Sequence, residues 1–184
     1  MFVLGDVGFR PIEQRDLERV RHLRNDPSTW VYLGGVDHVT PDQQAAWFCS
    51  LQDDKTRAYY TAFINQIDPD FPIATEGDFL GVIRTDEIDL QNRSIRVGLD
   101  IDPAKRGQGW ATKLYCALLK WLFDYRNFHR VHLAVLESNT IGLKLYLNAG
   151  FKEEGRQRDA IWRDGAWRDY LLMSILEDEY RRGK

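Results

Sequence analysis

The feature that most constrains the fold is a glycine-containing segment, residues 102–111, which lies between a predicted strand and a predicted helix. Its sequence is Asp-Pro-Ala-Lys-Arg-Gly-Gln-Gly-Trp-Ala. Residues 94–101 before it favour a strand, and residues 109–125 after it form an amphipathic helix. Residues 131–136 then form a short, almost wholly apolar strand, as expected at the centre of a sheet covered on both faces. This order predicts two parallel strands joined by a helical crossover.

Two helices are predicted before the first long strand. Residues 12–25 place apolar side chains three positions apart among charged residues, which is typical of an amphipathic helix. Residues 40–43, Thr-Pro-Asp-Gln, combine an N-cap threonine, a proline at the first helical position and a glutamine three residues on, which is a capping box. Residues 26–37 contain proline and glycine and are predicted to be a loop.

Strands dominate the remainder of the chain. Residues 68–72, Asp-Pro-Asp-Phe-Pro, break the first strand, and residues 76–78, Glu-Gly-Asp, are predicted to be a turn. Gly150 closes the last helix, because glycine best tolerates the left-handed conformation there, and Asp164-Gly165 predicts a type I′ hairpin turn. The predicted strands are 57–64, 79–88, 94–101, 131–136, 151–162 and 167–176, and the last helix is 139–149.

Composition favours one folded domain. The chain has 184 residues, 43% of them hydrophobic and 29% charged, so it can bury a core and keep a polar surface. We predict a single domain over residues 1–184 with a mixed α/β (α+β) fold, in which helices flank a mostly antiparallel sheet. The net charge of −3 argues against nucleic acid as a partner. Acidic residues also alternate with the arginines of the first predicted helix, which predicts a solvated, ion-paired face. Those arginines are Arg15, Arg19, Arg21 and Arg24.

The cysteines and the lack of long apolar runs predict the compartment. Cys49 and Cys116 lie far apart without metal-ligand spacing, so we predict reduced, buried thiols and no metal site. No uninterrupted run of about 18 apolar residues is available to span a membrane, and the first residues lack a secretion signal. These features predict a cytoplasmic protein without a membrane partner.

The glycine-containing segment also predicts a phosphate-binding helix start. Gly107 and Gly109 permit a tight turn, and the first amides of the following helix have no partner within it. Such a start binds phosphate oxygens through its free N–H groups and the helix dipole, and Arg106 adds a positive charge. The alternative is an ordinary strand-to-helix turn that uses glycine. Neither the Walker pattern nor the dinucleotide pattern is present.

A second motif follows downstream. Residues 139–151 have the sequence Asn-Thr-Ile-Gly-Leu-Lys-Leu-Tyr-Leu-Asn-Ala-Gly-Phe. Together with Arg-x-x-Gly-x-Ala at residues 106–111, in this order and at this separation, the pattern resembles the GNAT superfamily of N-acetyltransferases over nearly the whole chain. The stretches that resemble its ribosomal-protein-alanine acetyltransferase (RimJ/RimL-like) branch are residues 23–26, 47–48 and 162–170 with Met173.

The resemblance implies that acetyl-CoA enters a gap between two splayed strands at the sheet centre. Its pyrophosphate is expected on the loop before the third helix, and a bulge in residues 97–101 is expected to expose backbone groups to the pantetheine arm. The residues implied in cofactor binding are Leu99, Ile101, Arg106, Gly107, Gln108, Gly109, Trp110, Ala111 and Asn139.

Tyr146 occupies the position that family members place near the thioester sulfur as general acid. A phenol with a pKa near 10 keeps its proton at pH 7 and can donate it to a departing thiolate. The alternative is a helix aromatic packed in the core. Because no Ser-His-Asp or Cys-His arrangement is apparent, we expect direct attack by a primary amine on acetyl-CoA without an acyl-enzyme. The rival function is a catalytically silent acyl-CoA-binding module.

The sequence leaves the acceptor and the general base open. A protein N-terminus, a nucleotide-linked amino sugar, a polyamine and an aminoglycoside-like amine all fit the scaffold, and the weak acidity favours a small molecule or a peptide end. A homodimer is a candidate assembly. The candidate bases are Glu76, Asp86, Glu87, Asp100, His38 and water, and Trp30, Tyr32 and Trp47 are the candidate aromatic wall of an acceptor pocket.

Overall fold

The computed structural model describes residues 1–35, 37–67 and 74–183. Its strands are β1 (Phe2–Leu4), β2 (Val7–Pro11), β3 (Ala58–Ile67), β4 (Ala74–Asp89), β5 (Ser94–Ile101), β6 (Arg130–Leu136), β7 (Lys152–Arg163) and β8 (Ala166–Leu176). Its helices are α1 (Leu17–Asn25), α2 (Pro27–Trp30), α3 (Pro41–Ser50), α4 (Trp110–Lys120), α5 (Thr140–Asn148) and α6 (Glu177–Arg182).

The strands form an eight-stranded sheet in the order β1-β2-β3-β4-β5-β6-β8-β7. Neighbouring strands are antiparallel except β5 and β6, which run parallel and are joined through α4. The predicted mixed α/β fold with a mostly antiparallel sheet is therefore confirmed. The predicted parallel crossover is confirmed as well.

The two parallel strands separate partway along their length. Pairing between β5 and β6 ends at Arg96 and His132. Beyond these residues, β5 stays paired with β4 as far as Ile101, and β6 stays paired with β8 as far as Leu136. The centre of the sheet therefore contains an open gap between the two strands, as the splayed arrangement predicts.

Helices cover both faces of the sheet. On one face, α4 packs Leu114 into a core that includes Ile83 of β4. On the other face, α1 packs Val20 and Leu23 against Val82, because neighbouring strand residues point to opposite sides. None of the helices in the described ranges combines the length and the apolar character needed to cross a membrane.

The ends of two helices differ from the predictions. The helix predicted over residues 12–25 begins with a 3-10 turn, Gln14–Asp16, and becomes α1 only at Leu17. The helix predicted to end at residue 125 has α-helical bonds as far as Lys120 and finishes in a wider turn, Trp121–Tyr125. Strands β1 and β2 were not predicted, because each is too short for a periodic pattern to be recognised.

The turn predicted at residues 76–78 is wrong. β4 pairs with β3 on both sides of Glu76, and Arg10 of β2 donates to the Glu76 carboxylate at 2.7 and 2.9 Å. These long-range contacts keep the segment in the sheet despite its turn-forming residues. The break predicted at residues 68–72 lies outside the described residues.

Candidate active site

The loop between β5 and α4 has the backbone that its glycines predict. Gly107 and Gly109 take positive φ angles of 73° and 82°, and Gly109 is the N-cap of α4 without a capping side chain. Among the described residues, none accepts a hydrogen bond from the amides of Gly107, Gln108 or Gly109. The space that a Cβ atom would enter at either glycine is empty. The start of α4 can therefore receive an anion.

Arg106 makes contacts that the sequence did not predict. Its guanidinium donates to the Ser28 Oγ at 2.7 Å and to the Thr29 Oγ1 at 2.5 Å, both on α2. Its Nε donates to the carbonyl oxygen of Ile101 at 3.0 Å. The side chain thus ties the loop to α2 and to the end of β5, and it keeps its positive charge near the open start of α4.

The residues after the glycines stiffen the loop. Trp110 Nε1 donates to the Gln108 Oε1 at 3.2 Å, and the Lys113 Nζ lies 4.8 Å from the centre of the Trp110 ring. Lys113 also pairs with Asp6 at 2.5 Å. A second cation, which the sequence analysis missed, therefore stands one turn into α4. Ala111 is half-buried there.

Leu99 and Ile101 direct their amides into the gap between β5 and β6. The Asp102 amide donates to the Leu80 carbonyl of β4 at 2.9 Å. Alternate residues of a strand direct their N–H groups to opposite edges. The amides of Leu99 and Ile101 therefore face the edge that β6 leaves unpaired.

The bulge expected in residues 97–101 is wrong. β5 pairs with β4 there without a register shift, and the irregularity lies instead between Asp86 and Asp89 of β4. The separation of β6 from β5 is therefore sufficient to expose the strand edge.

Asn139 is the N-cap of α5. Its Oδ1 accepts a hydrogen bond from the Gly142 amide at 2.9 Å. Gly142 is buried, and a Cβ atom there would lie 2.8 Å from the Asn139 Nδ2, so glycine leaves room for the cap. Among the described residues, none accepts a hydrogen bond from that Nδ2, so this group is available to a ligand.

Tyr146 on α5 belongs to an aromatic cluster. Its ring meets that of Tyr115 edge-on, with centroids 5.3 Å apart, and that of Phe151 with centroids 5.9 Å apart. Burial raises the pKa of Tyr146 above its ordinary value near 10, although the neighbouring Tyr115 hydroxyl and the charge of Arg84 oppose the shift. Burial also raises the pKa of Tyr115 well above 10. Both phenols therefore hold their protons at neutral pH.

An ion pair between Arg84 of β4 and Asp100 of β5 acts on the Tyr146 phenol. The Arg84 Nε lies 2.9 Å from the Asp100 Oδ2, and both charges affect the pKa of Tyr146. Arg84 crosses over Gly98, where a Cβ atom would lie 2.7 Å from the guanidinium. The register that sets Arg84 opposite Gly98 creates this pair. The sequence analysis missed Arg84, because no local pattern indicates that register.

The ion pair lines one cavity, and a second cavity adjoins the first. The inner cavity has a volume of about 100 Å³ and is lined by Arg84, Asp100 and Tyr59, among others. The outer cavity has a volume of about 310 Å³ and is lined by Trp30 and His38, among others. Both cavities share a wall formed by Arg24, Leu33, Gly35 and Trp47.

The structure separates the other residues that the sequence singled out. Asp100 lines the inner cavity and His38 the outer one, whereas Tyr32 is exposed and lines neither. The remaining candidate bases are ion-paired with arginines and line neither cavity in the described part of the chain; they are Glu76, Asp86 and Glu87.

The prediction of buried cysteines is wrong. Cys49 and Cys116 are free thiols and both are exposed. Cys116 follows the fully buried Tyr115 on α4, and the 3.6-residue period turns its side chain towards solvent. No group of three or more His, Cys, Asp or Glu side chains in the described ranges has the arrangement of a metal site.

Comparison with known proteins agrees with this geometry. Residues 6–152 match the acetyltransferase (GNAT) domain family. The chain is 30% identical over 177 residues to the spermidine N(1)-acetyltransferase of Vibrio cholerae serotype O1, covering 96% of each chain. It is 24% identical over 182 residues to a putative ribosomal N-acetyltransferase of Bacillus subtilis strain 168, covering 97% of this chain and 95% of that relative.

A solved structure shows the same fold. The crystal structure of spermidine N-acetyltransferase from Vibrio cholerae, in complex with CoA and spermine, superimposes with a TM-score of 0.86 at 22% identity, covering 97% of this chain and 99% of that one. The matches support the predicted superfamily and do not single out its RimJ/RimL-like branch. The chain belongs to the GNAT acetyltransferase family and is an acetyl-CoA-dependent amine N-acetyltransferase.

Proposed function

We propose that the chain transfers an acetyl group by direct attack of a primary amine, with Tyr146 as general acid. One observation carries this proposal: a half-buried phenol with a raised pKa is near enough to be influenced by the charge of Asp100 of β5, the strand whose free edge leads to the open start of α4. We therefore infer that the proton donor Tyr146, the free backbone amides of β5 and the anion site at the start of α4 all serve the same gap in the sheet.

The residues around the gap fit acetyl-CoA. The amides of Gly107, Gln108 and Gly109, which have no partner among the described residues, suit the pyrophosphate oxygens. No described side chain fills the space beside Gly107 and Gly109. The amides of Leu99 and Ile101 would bind the pantetheine arm as an added strand does. The further residues proposed to contact the cofactor are Arg106, Trp110, Ala111 and Asn139.

The chemistry proposed for Tyr146 follows from its protonation. When bound, acetyl-CoA supplies an acyl group activated as a thioester. As the amine nitrogen bonds to the acyl carbon and the C–S bond breaks, Tyr146 Oη would give its proton to the departing sulfur. The amine nitrogen loses one proton to solvent, and solvent returns one to the phenol. The raised pKa keeps the phenol protonated at neutral pH before the reaction. Tyr115 and Phe151 pack against the ring and fix its direction.

The acceptor is a primary amine, and the names of the relatives point to two different candidates for it. Their names include spermidine and ribosomal N-acetyltransferases, so a polyamine and a protein N-terminus are both candidates. A single domain over residues 1–184, a cytoplasmic location and a homodimer stay predictions from the sequence.

The test is a panel of amines in which free thiol release from acetyl-CoA is followed. The panel contains spermidine, a peptide with a free N-terminus, an amino sugar and a simple alkylamine without other functional groups. We expect thiol release that requires both the protein and an amine. Binding of acetyl-CoA, seen as a rise in melting temperature, without thiol release for any amine would instead support the silent acyl-CoA-binding module.

A further inference from the structure

We propose that Arg24 binds an anionic group of the acceptor, so that the preferred acceptor is an amine that also carries a carboxylate or a phosphate. This inference rests on the proposed function, because it concerns which amine enters the same site. Arg24 stands at the end of α1 and lines both the inner and the outer cavity. It is therefore the cation that an acceptor reaching through the two cavities would meet.

Among the described residues, Arg24 has no charged or hydrogen-bonding partner. Its side chain is half-buried, and none of the described residues forms an ion pair or a hydrogen bond with its guanidinium. Its neighbour Arg21 is bound to Glu18 and to the Val39 carbonyl. A guanidinium that lines a cavity and has no described partner keeps its N–H donors available to an anion that enters the cavity. Its planar shape suits two parallel hydrogen bonds to a carboxylate or a phosphate.

The charges around the inner cavity disfavour a polycation. The only carboxylate that lines this cavity in the described residues, Asp100, is already paired with Arg84 at 2.9 Å. Arg24 is the second cation on its wall. A polyamine would place several ammonium groups against two guanidinium groups with one neutralised carboxylate, so like charges would repel.

The outer cavity leaves room for the anionic group. Asp37 and His38 line it together with Arg24, so it is not uniformly positive, and its volume of about 310 Å³ exceeds that of the inner cavity. An acceptor with its anion at Arg24 would pair with the guanidinium of the inner cavity that no described carboxylate neutralises, and its amine would extend towards Asp100. Amino acids, short acidic peptides and amine-bearing phosphates have this pattern.

The experiment compares matched amines that differ in one anionic group. The member that carries the carboxylate or phosphate is called the anionic member, and the one in which that group is absent or replaced by an uncharged group is called the neutral member. The pairs are γ-aminobutyrate with its amide and phosphoethanolamine with ethanolamine, and spermidine is the polycation. We expect the wild-type protein to favour the anionic member of at least one pair by about tenfold or more in kcat/KM, since a hydrogen bond to a charged group has that magnitude. The pair with the larger preference shows whether Arg24 binds a carboxylate or a phosphate better.

Arg24→Gln should remove this preference by lowering kcat/KM for the anionic member about tenfold to a hundredfold, while the neutral member changes little. Arg24→Lys keeps the charge and should retain part of the preference. Arg19→Gln is the matched control, because Arg19 is an exposed arginine of the same helix that lines neither cavity. The rise in melting temperature with acetyl-CoA must be equal in all variants, which excludes a folding defect.

The inference is overturned if kcat/KM is higher for spermidine or for the neutral members than for the anionic members. It is also overturned if Arg24→Gln lowers kcat/KM equally for both members of a pair. Failure of the proposed function has a different result, namely no thiol release with any amine. In that case, calorimetric titration of γ-aminobutyrate and phosphoethanolamine into the CoA-loaded protein decides the inference. Binding that Arg24→Gln abolishes supports it, and no binding to the wild-type protein overturns it.

Discussion

The helices α4 and α5 each follow one of the two parallel strands, yet their first turns are built in opposite ways. α4 begins after Gly109, which takes a left-handed φ of 82° and provides no side-chain cap. α5 begins after Asn139, whose side chain accepts the Gly142 amide at 2.9 Å. The first helix thus leaves its amides free for a ligand, and the second satisfies one of its own.

This difference suits two different tasks. An uncapped helix start is less stable alone and becomes useful when an anion completes it. A capped start fixes the helix, which suits a helix that must hold one phenol, Tyr146, in a single direction. Position after a central strand therefore does not by itself make a helix start a phosphate site; the cap decides.

The largest expected effect concerns the phenol on the capped helix. Tyr146→Phe keeps the ring and its contacts with Tyr115 and Phe151 but removes the proton donor. General acid catalysis contributes about 10²–10⁴ in rate, so kcat should fall by a comparable factor while acetyl-CoA binding is retained. Because the pKa of Tyr146 is raised, the wild-type kcat should stay level through neutral pH and fall only when pH passes that raised value.

Steady-state kinetics and the acetyl-CoA thermal shift are measured together for this variant. A folded Tyr146→Phe protein with wild-type kcat would mean that Tyr146 only packs in the core. The capped helix α5 would then have no catalytic role to set against the anion-binding role of α4.

The next effect concerns the uncapped start. Gly109→Asp should raise the dissociation constant of acetyl-CoA by at least about tenfold, because a carboxylate would stand where phosphate oxygens are expected. The fold should survive, since aspartate tolerates left-handed φ better than most residues and no atom of the described residues outside the loop lies within 4 Å of the new Cβ.

Gly165→Asp is the matched control for this variant. Gly165 has a φ of 73° and an equally empty surrounding, but it lies in the turn between β7 and β8. Calorimetric titration should show normal acetyl-CoA affinity in the control. Equal affinities in Gly109→Asp and the wild-type protein would remove the α4 start from the cofactor site.

A smaller effect is expected at the cap of α5. Asn139→Ala leaves the Gly142 amide unpaired and should lower the free energy of unfolding by about 1 kcal/mol, as measured by urea denaturation. Asn139→Asp keeps the accepting oxygen but replaces the Nδ2 group, so it separates capping from ligand contact. If Nδ2 binds acetyl-CoA, the affinity of Asn139→Asp for acetyl-CoA should fall while its free energy of unfolding stays near that of the wild-type protein. Normal stability of Asn139→Ala would contradict the role of Asn139 as a cap.

The smallest effect is expected at the exposed thiols. Cys49→Ser with Cys116→Ser should change the free energy of unfolding by no more than about 0.5 kcal/mol per site, because surface substitutions seldom do more. Turnover should stay near that of the wild-type protein. A folded double variant without activity would mean that a thiol takes part, and direct attack by the amine would have to be replaced.

The sequence by itself determined the features that depend on a few neighbouring residues. The tight turn at Gly107 and Gly109, the capping box at Thr40 and the hairpin turn at Asp164-Gly165 all occur as predicted. Each needs only local backbone sterics and one side-chain hydrogen bond, so its physical cause lies within a few positions of the chain.

Only the tertiary structure decided which distant groups meet. Arg106 contacts Ser28 across 78 positions of sequence, Arg84 reaches Asp100 through the register of β4 against β5, and Arg24 reaches the wall of both cavities. Residues 76–78 stay in a strand against their local preference because Arg10 holds Glu76. Packing and strand register fix these contacts, and neither is encoded in any short stretch of the chain.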